Sequence, residues 1–273
     1  MLQSLDSWLD YLNKLHPTTI DLSLERIRPL AEAMGLVRFA CPVICVAGTN
    51  GKGSTVRFLE CAYLAAGFEV AAYTSPHILH FNERLRINDE VLSDALWLDA
   101  FKHIEVERGE TTLSFFEFTT LAALWLCQQH TLDVIILEVG LGGRLDAVNV
   151  VDNDLAIITT IDLDHQEYLG YTREAIAKEK AGVFKENGLA VCGDLDIPLT
   201  VFEEAEHKNV SLYTLNRDYF YETYANSWVW MSAGARYDHL PLPELNIQDA
   251  ATSLMAIELL QKKRAVKKKL IPQ

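Results

Sequence analysis

A short apolar run, Pro42 to Ala47, passes directly into Gly48-Thr49-Asn50-Gly51-Lys52-Gly53-Ser54, and a helical pattern then continues to Ala66 and stops at Gly67. Strand, glycine loop and helix in immediate succession are what a phosphate site needs. The glycines let backbone N–H groups turn inward, the helix start favours an anion, and a lysine adds a mobile charge. The loop departs from the common G-x-x-x-x-G-K-[ST] spacing, since Val46 stands where the first glycine should be and Gly53 follows the lysine. Its physics is intact, and Gly48, Thr49, Asn50, Gly51, Lys52, Gly53 and Ser54 are the candidate nucleotide-phosphate residues.

The rest of the chain supplies a sheet for that loop to sit on. Val70 to Tyr73, Asp133 to Glu138, Leu155 to Ile161 and Leu189 to Cys192 read as strands. Leu5 to Leu15, Leu22 to Met34, Ser93 to about Glu107, Phe115 to Gln129, Thr172 to Phe184 and Asn246 to Lys263 read as helices. This alternation predicts an α/β fold of the P-loop type, a mostly parallel sheet with helices on both faces. From about 210 to 240 the composition turns aromatic and β-branched, which predicts a small antiparallel β attachment within a domain spanning 1–262. Residues 263–273 form a basic tail, expected to be solvated.

Composition removes several classes of function. With 24 Lys plus Arg against 38 Asp plus Glu, the formal charge is −14, a field that repels nucleic acid and anionic membranes. Five cysteines without metal-ligand spacing favour reduced thiols and a cytoplasmic setting, and no signal peptide or membrane-length apolar run is seen. Gly140-Leu141-Gly142-Gly143 is not followed by a helical pattern, which argues against a dinucleotide fingerprint, and no G-x-S-x-G elbow occurs.

A polyphosphate site needs Mg²⁺ and oxygen ligands for it. Glu138 ends a buried strand, Asp162-Leu163-Asp164-His165 follows another, and Thr74-Ser75-Pro76-His77 follows a third, all on the carboxyl edge where ligands bind in open α/β sheets. Lys180 reads from the residues alone as an ordinary helix-surface lysine.

These motifs, with Leu137-Glu138-Val139-Gly140-Leu141-Gly142-Gly143-Arg144-Leu145-Asp146-Ala147 and Glu179-Lys180-Ala181-Gly182, occur together over nearly the whole chain. In combination they resemble the bifunctional dihydrofolate synthase/folylpolyglutamate synthase branch of the Mur ligase superfamily. The resemblance implies an ATP-dependent amide ligase that joins L-glutamate to dihydropteroate and to folates through an acyl phosphate. It implies ATP on the glycine loop, Mg²⁺ held by Ser75, Glu138 and His165, and a carbamylated Lys180 organising a second divalent or monovalent cation. Lys52, Lys180 and His165 are then the catalytic candidates. Substrate contacts are implied for Ile20, Asp21 and Leu22, for Ser114, Phe115, Phe116 and Glu117, and for Leu145, Asp146 and Ala147, in a monomer.

Two departures from the family pattern stand out. The family's carboxy-terminal Rossmann-like domain, with its Asp-x-x-His-Asn-Pro motif, has no counterpart in these residues, so a truncated form is expected. Asp249 stands where the family usually has Asn near the adenine. A cell-wall Mur-type ligase and a non-catalytic nucleotide- or folate-binding fragment remain alternatives at this point.

Overall fold

The computed structural model describes residues 3–18 and 20–261; the basic tail lies outside the described residues. In chain order the elements are α1 (Leu5–Leu15), α2 (Ile27–Ala33), β1 (Val43–Ala47), α3 (Lys52–Ala65), β2 (Val70–Tyr73), β3 (Leu85–Ile87), β4 (Glu90–Val91), α4 (Asp94–Arg108) and α5 (Phe115–Gln128). There follow β5 (Val134–Glu138), β6 (Leu155–Ile158), α6 (Gln166–Leu169), α7 (Arg173–Ala181), β7 (Leu189–Cys192), α8 (Leu199–His207), β8 (Ser211–Thr214), β9 (Tyr219–Thr223), β10 (Trp228–Ser232), β11 (Arg236–Leu240) and α9 (Ile247–Leu260).

Eight strands form one sheet in the order β4-β3-β2-β5-β1-β6-β7-β8. The six from β2 to β8 run parallel, and β3 and β4 add an antiparallel edge. Strand β1 shows why the interior is dry on both faces. Val43, Cys45 and Ala47 enter one hydrophobic core, while Ile44 and Val46 enter the other. Such continuous apolar strands fit a parallel sheet covered by helices on each side. Helices α1, α4 and α5 pack with one another over the first core, and α3 packs against α9 over the second.

The fold agrees with the α/β expectation and refines it in four places. The helix expected over 22–34 is confined to Ile27–Ala33, preceded by a turn in which Arg26 pairs with Asp21 and Glu117. The strand expected to reach Ile161 ends at Ile158, where Thr159 and Thr160 turn to bond the glycine loop. The antiparallel attachment does not begin at 210: Ser211–Thr214 pairs parallel with β7 as a strand of the main sheet, and only β9, β10 and β11 form the small sheet. Helix α8 and the β3–β4 hairpin have no counterpart in the sequence reading. All five cysteines are free thiols, and no described helix is long and apolar enough to cross a membrane.

Candidate active site

Strand β1 lies between β5 and β6, so the chain leaves it at the point where the sheet is built outward in both directions, the usual ligand crevice of an open α/β fold. The glycine loop emerges there. Thr49 N–H donates to the Thr160 carbonyl at 2.7 Å, Asn50 N–H to Thr160 Oγ1 at 3.1 Å, and Thr159 Oγ1 to the Asn50 carbonyl at 2.5 Å. The loop is therefore clamped by the end of β6 rather than left to its own flexibility. Gly51, at φ +84°, starts α3 with no side chain capping its first N–H groups, which leaves them for an anion. Lys52 Nζ donates to the carbonyls of Gly48 (2.9 Å) and Thr49 (3.2 Å), and burial lowers its pKa. Glu138, Asp164 and Asp146 act on it in the opposite sense.

Glu138 ends β5 in register with Val46 of β1. The residue is 6% exposed; its carboxylate accepts one hydrogen bond from Ser75 N–H at 3.2 Å, and its pKa is raised by burial against the pull of that bond and of Lys52. Lys180 is the largest surprise. It is buried, not solvated, and has no hydrogen-bond partner for its amine among the described residues; burial and the Lys52 charge push it down to about 8, opposed by Asp164. His165 sits in a left-handed conformation on an exposed loop, 3.6 Å from Asp164, and makes no hydrogen bond or ion pair with Ser75 or Glu138. Asp164, which the sequence reading left without a role of its own, is thus the group linking Lys52, Lys180 and His165 electrostatically. No cluster of three or more His, Cys, Asp or Glu side chains able to hold a metal ion occurs among the described residues. The set Ser75, Glu138, His165 and Lys180 contains only two such residues.

Two cavities flank the Ser75-Pro76 segment. One, about 480 Å³, is polar and is bordered by Gly53, Arg57, Arg86, Asp89 and Glu138. The other, about 240 Å³, is bordered by nine of the ten expected substrate residues: Ile20, Asp21, Leu22, Ser114, Phe116, Glu117, Leu145, Asp146 and Ala147. Phe115, the tenth, does not line the cavity and packs against Phe81 and the Arg84 guanidinium instead. Local sequence explains the walls. Ser114 and Glu117 cap α5 reciprocally, Ser114 N–H donating to Glu117 Oε2 at 2.7 Å and Glu117 N–H to Ser114 Oγ at 3.3 Å. The other Glu117 oxygen takes Arg26, which also holds Asp21, so the 20–22 loop is tied to the α5 amino terminus. Asp146 accepts Leu141 N–H at 2.8 Å and Val148 N–H at 2.9 Å, and complete burial pushes it up to about 7.

Residues 46–239 match the family model of the Mur ligase middle domain, well over half of the 273 residues. The chain belongs to this family. Among Mur ligase relatives, the dihydrofolate synthase/folylpolyglutamate synthase of Haemophilus influenzae is 46% identical over 256 residues, 94% of this chain and 58% of that protein. The Escherichia coli protein of the same name is 44% identical over 93% of this chain and 60% of its own length. The solved structure of E. coli FolC in complex with DHPP and ADP superposes with a TM-score of 0.95, covering 98% of this chain and 64% of that one at 42% identity. The bifunctional folylpolyglutamate synthase/dihydrofolate synthase of Yersinia pestis gives 0.92 at 43% identity, covering 98% and 65%. This Mur ligase middle domain chain therefore spans about three fifths of the length of its curated relatives.

Proposed function

We propose that the chain is the nucleotide-binding part of a ligase that uses ATP to join L-glutamate to dihydropteroate and to folates. The observation that carries this reading is the Ser75-Pro76 segment, which borders both the polar cleft beside the glycine loop and the apolar cavity. A nucleotide in the cleft and a pteridine-bearing acid in the cavity would meet there. The relatives' names and the ADP and DHPP of the matched structure support the same pairing.

A carboxylate is a poor electrophile, so its oxygen attacks the γ-phosphorus of ATP, ADP leaves, and an acyl phosphate forms. The glutamate amine then attacks the acyl carbon, loses a proton, and expels inorganic phosphate. No protein nucleophile is required. The loop N–H groups and Lys52 orient the phosphates and offset the charge that spreads over the transferring group. Glu138, buried and served by a single protein hydrogen bond, suits a cation. With Ser75 and His165 it would hold Mg²⁺, which when bound neutralises phosphate charge. Lys180 has the depressed pKa that CO₂ capture requires, since only the neutral amine reacts, giving a carbamate and a proton. This turns a buried cation into an anion that a second divalent or monovalent cation would accompany. A monomeric, cytoplasmic ligase with no nucleic-acid or membrane partner fits the charge of −14.

Phosphate release tests the proposal. It should depend on dihydropteroate and glutamate together and vanish in Lys52→Ala. Release that ignores the pterin, or that survives Lys52→Ala, would remove the assignment. A cell-wall Mur-type ligase would respond instead to a UDP-sugar peptide.

A further inference from the structure

Arg84 is 8% exposed and borders the apolar cavity, where it is the only Lys, Arg or His among the described lining residues. Burying most of an arginine side chain is costly unless its donors are satisfied, yet the protein satisfies few of them. Nε–H donates to His77 Nδ1 at 2.9 Å, and the Phe81 and Phe115 rings lie 5.7 and 5.3 Å from the guanidinium carbon. The four Nη–H donors have no hydrogen-bond or ion-pair partner among the described residues. The carboxylates that share the cavity wall are engaged elsewhere. Asp21 pairs with Arg26 and His16, Glu117 with Arg26 and its helix cap, and Asp146 with backbone N–H groups.

The position of Arg84 is fixed from three sides. Its carbonyl accepts Thr74 N–H at 2.8 Å, one residue before Ser75, which places it beside the segment that separates the two cavities. His77 Nδ1 accepts the Nε–H, which anchors the base of the guanidinium. The two rings hold the guanidinium plane without supplying an anion.

We propose that Arg84 is a specificity-determining residue of this cavity, binding through its free Nη–H groups the carboxylate of the pteroyl acid that enters it. This rests on the cavity being the pteroyl-acid site, and adds to it the group that tells a carboxylic acid from a neutral pteridine. Planar, paired N–H donors match a carboxylate in two parallel hydrogen bonds.

The test is equilibrium binding of pteroate and of its methyl ester, which keeps the ring system and removes the charge, to the wild-type chain, Arg84→Met and Arg84→Lys. Wild type should bind the acid at least tenfold more tightly than the ester. In Arg84→Met the acid should weaken at least tenfold while the ester changes less than twofold. Arg84→Lys, which keeps the charge but not the fork, should fall between them and covers the case in which the Met variant does not fold. Equal loss of acid and ester in both variants would make Arg84 only a prop for the aromatic cluster and overturn the proposal. Unchanged acid binding, or a wild type that binds acid and ester alike, would overturn it as well. A wild type that binds neither would instead overturn the assignment of the cavity, and Arg84's role with it.

Discussion

The Asp249 carboxylate of α9 lies against the Gly51 backbone so closely that a methyl group on residue 51 would overlap it. An anion is thereby packed beside a loop built to receive anions, and it forms no side-chain hydrogen bond or ion pair among the described residues. Gly51 also holds φ +84°, a region that side-chain-bearing residues seldom adopt. Gly51→Ala meets both obstacles. It is expected to cost about 1–3 kcal/mol of stability and to weaken ADP binding at least tenfold, as read by thermal unfolding and calorimetric titration.

Asp249→Asn should show a pH signature. Burial raises the Asp249 pKa from 3.8 to about 6. Between those values the folded state holds a proton that the unfolded state has released, so this contribution to stability is full below pH 3.8 and is lost as pH rises through about 6. The Asn variant, which never ionises, should be more stable than wild type at pH 8 by about 1–3 kcal/mol. The gap should close on acidification. A gap that is constant with pH would show that charge on Asp249 is not the cause.

Lys180 is expected to behave with the opposite slope. Its pKa falls from 10.5 to about 8 on folding, so between those values the unfolded chain binds the extra proton and stability rises with pH. In carbonate-free buffer, Lys180→Met should be more stable than wild type below pH 8, with the difference shrinking toward pH 10.5. With ¹³C-bicarbonate, a carbamate carbonyl resonance should appear in wild type and be absent from the Met variant.

The difference between what could and could not be read from the residues follows sequence distance. The glycine loop was legible because strand, turn and helix are contiguous from Pro42 to Ala66, and the carboxylates at strand ends share an edge by the logic of a parallel sheet. The depth of Lys180 was not legible, since the lysine looks solvated until α7 is packed against the sheet. Arg84 carries no local signal at all. It becomes notable only when Phe115, 31 positions later, closes over it while the cavity opens on its other side. Strand β8 is read into the antiparallel attachment because Ser211–Thr214 shares the aromatic and β-branched character of the strands that follow it, whereas it pairs in parallel with β7.

The central claim is that a nucleotide and a pteridine-bearing acid occupy adjoining cavities divided by Ser75-Pro76. Its most direct measurement is a fluorescence titration with dihydropteroate at saturating Mg²⁺ and a non-hydrolysable ATP analogue, beside a UDP-muramyl peptide control. Saturable binding of the pterin, with none of the peptide, is the expected result. Binding of the peptide alone, or of neither ligand by a chain that still binds nucleotide, would contradict the account.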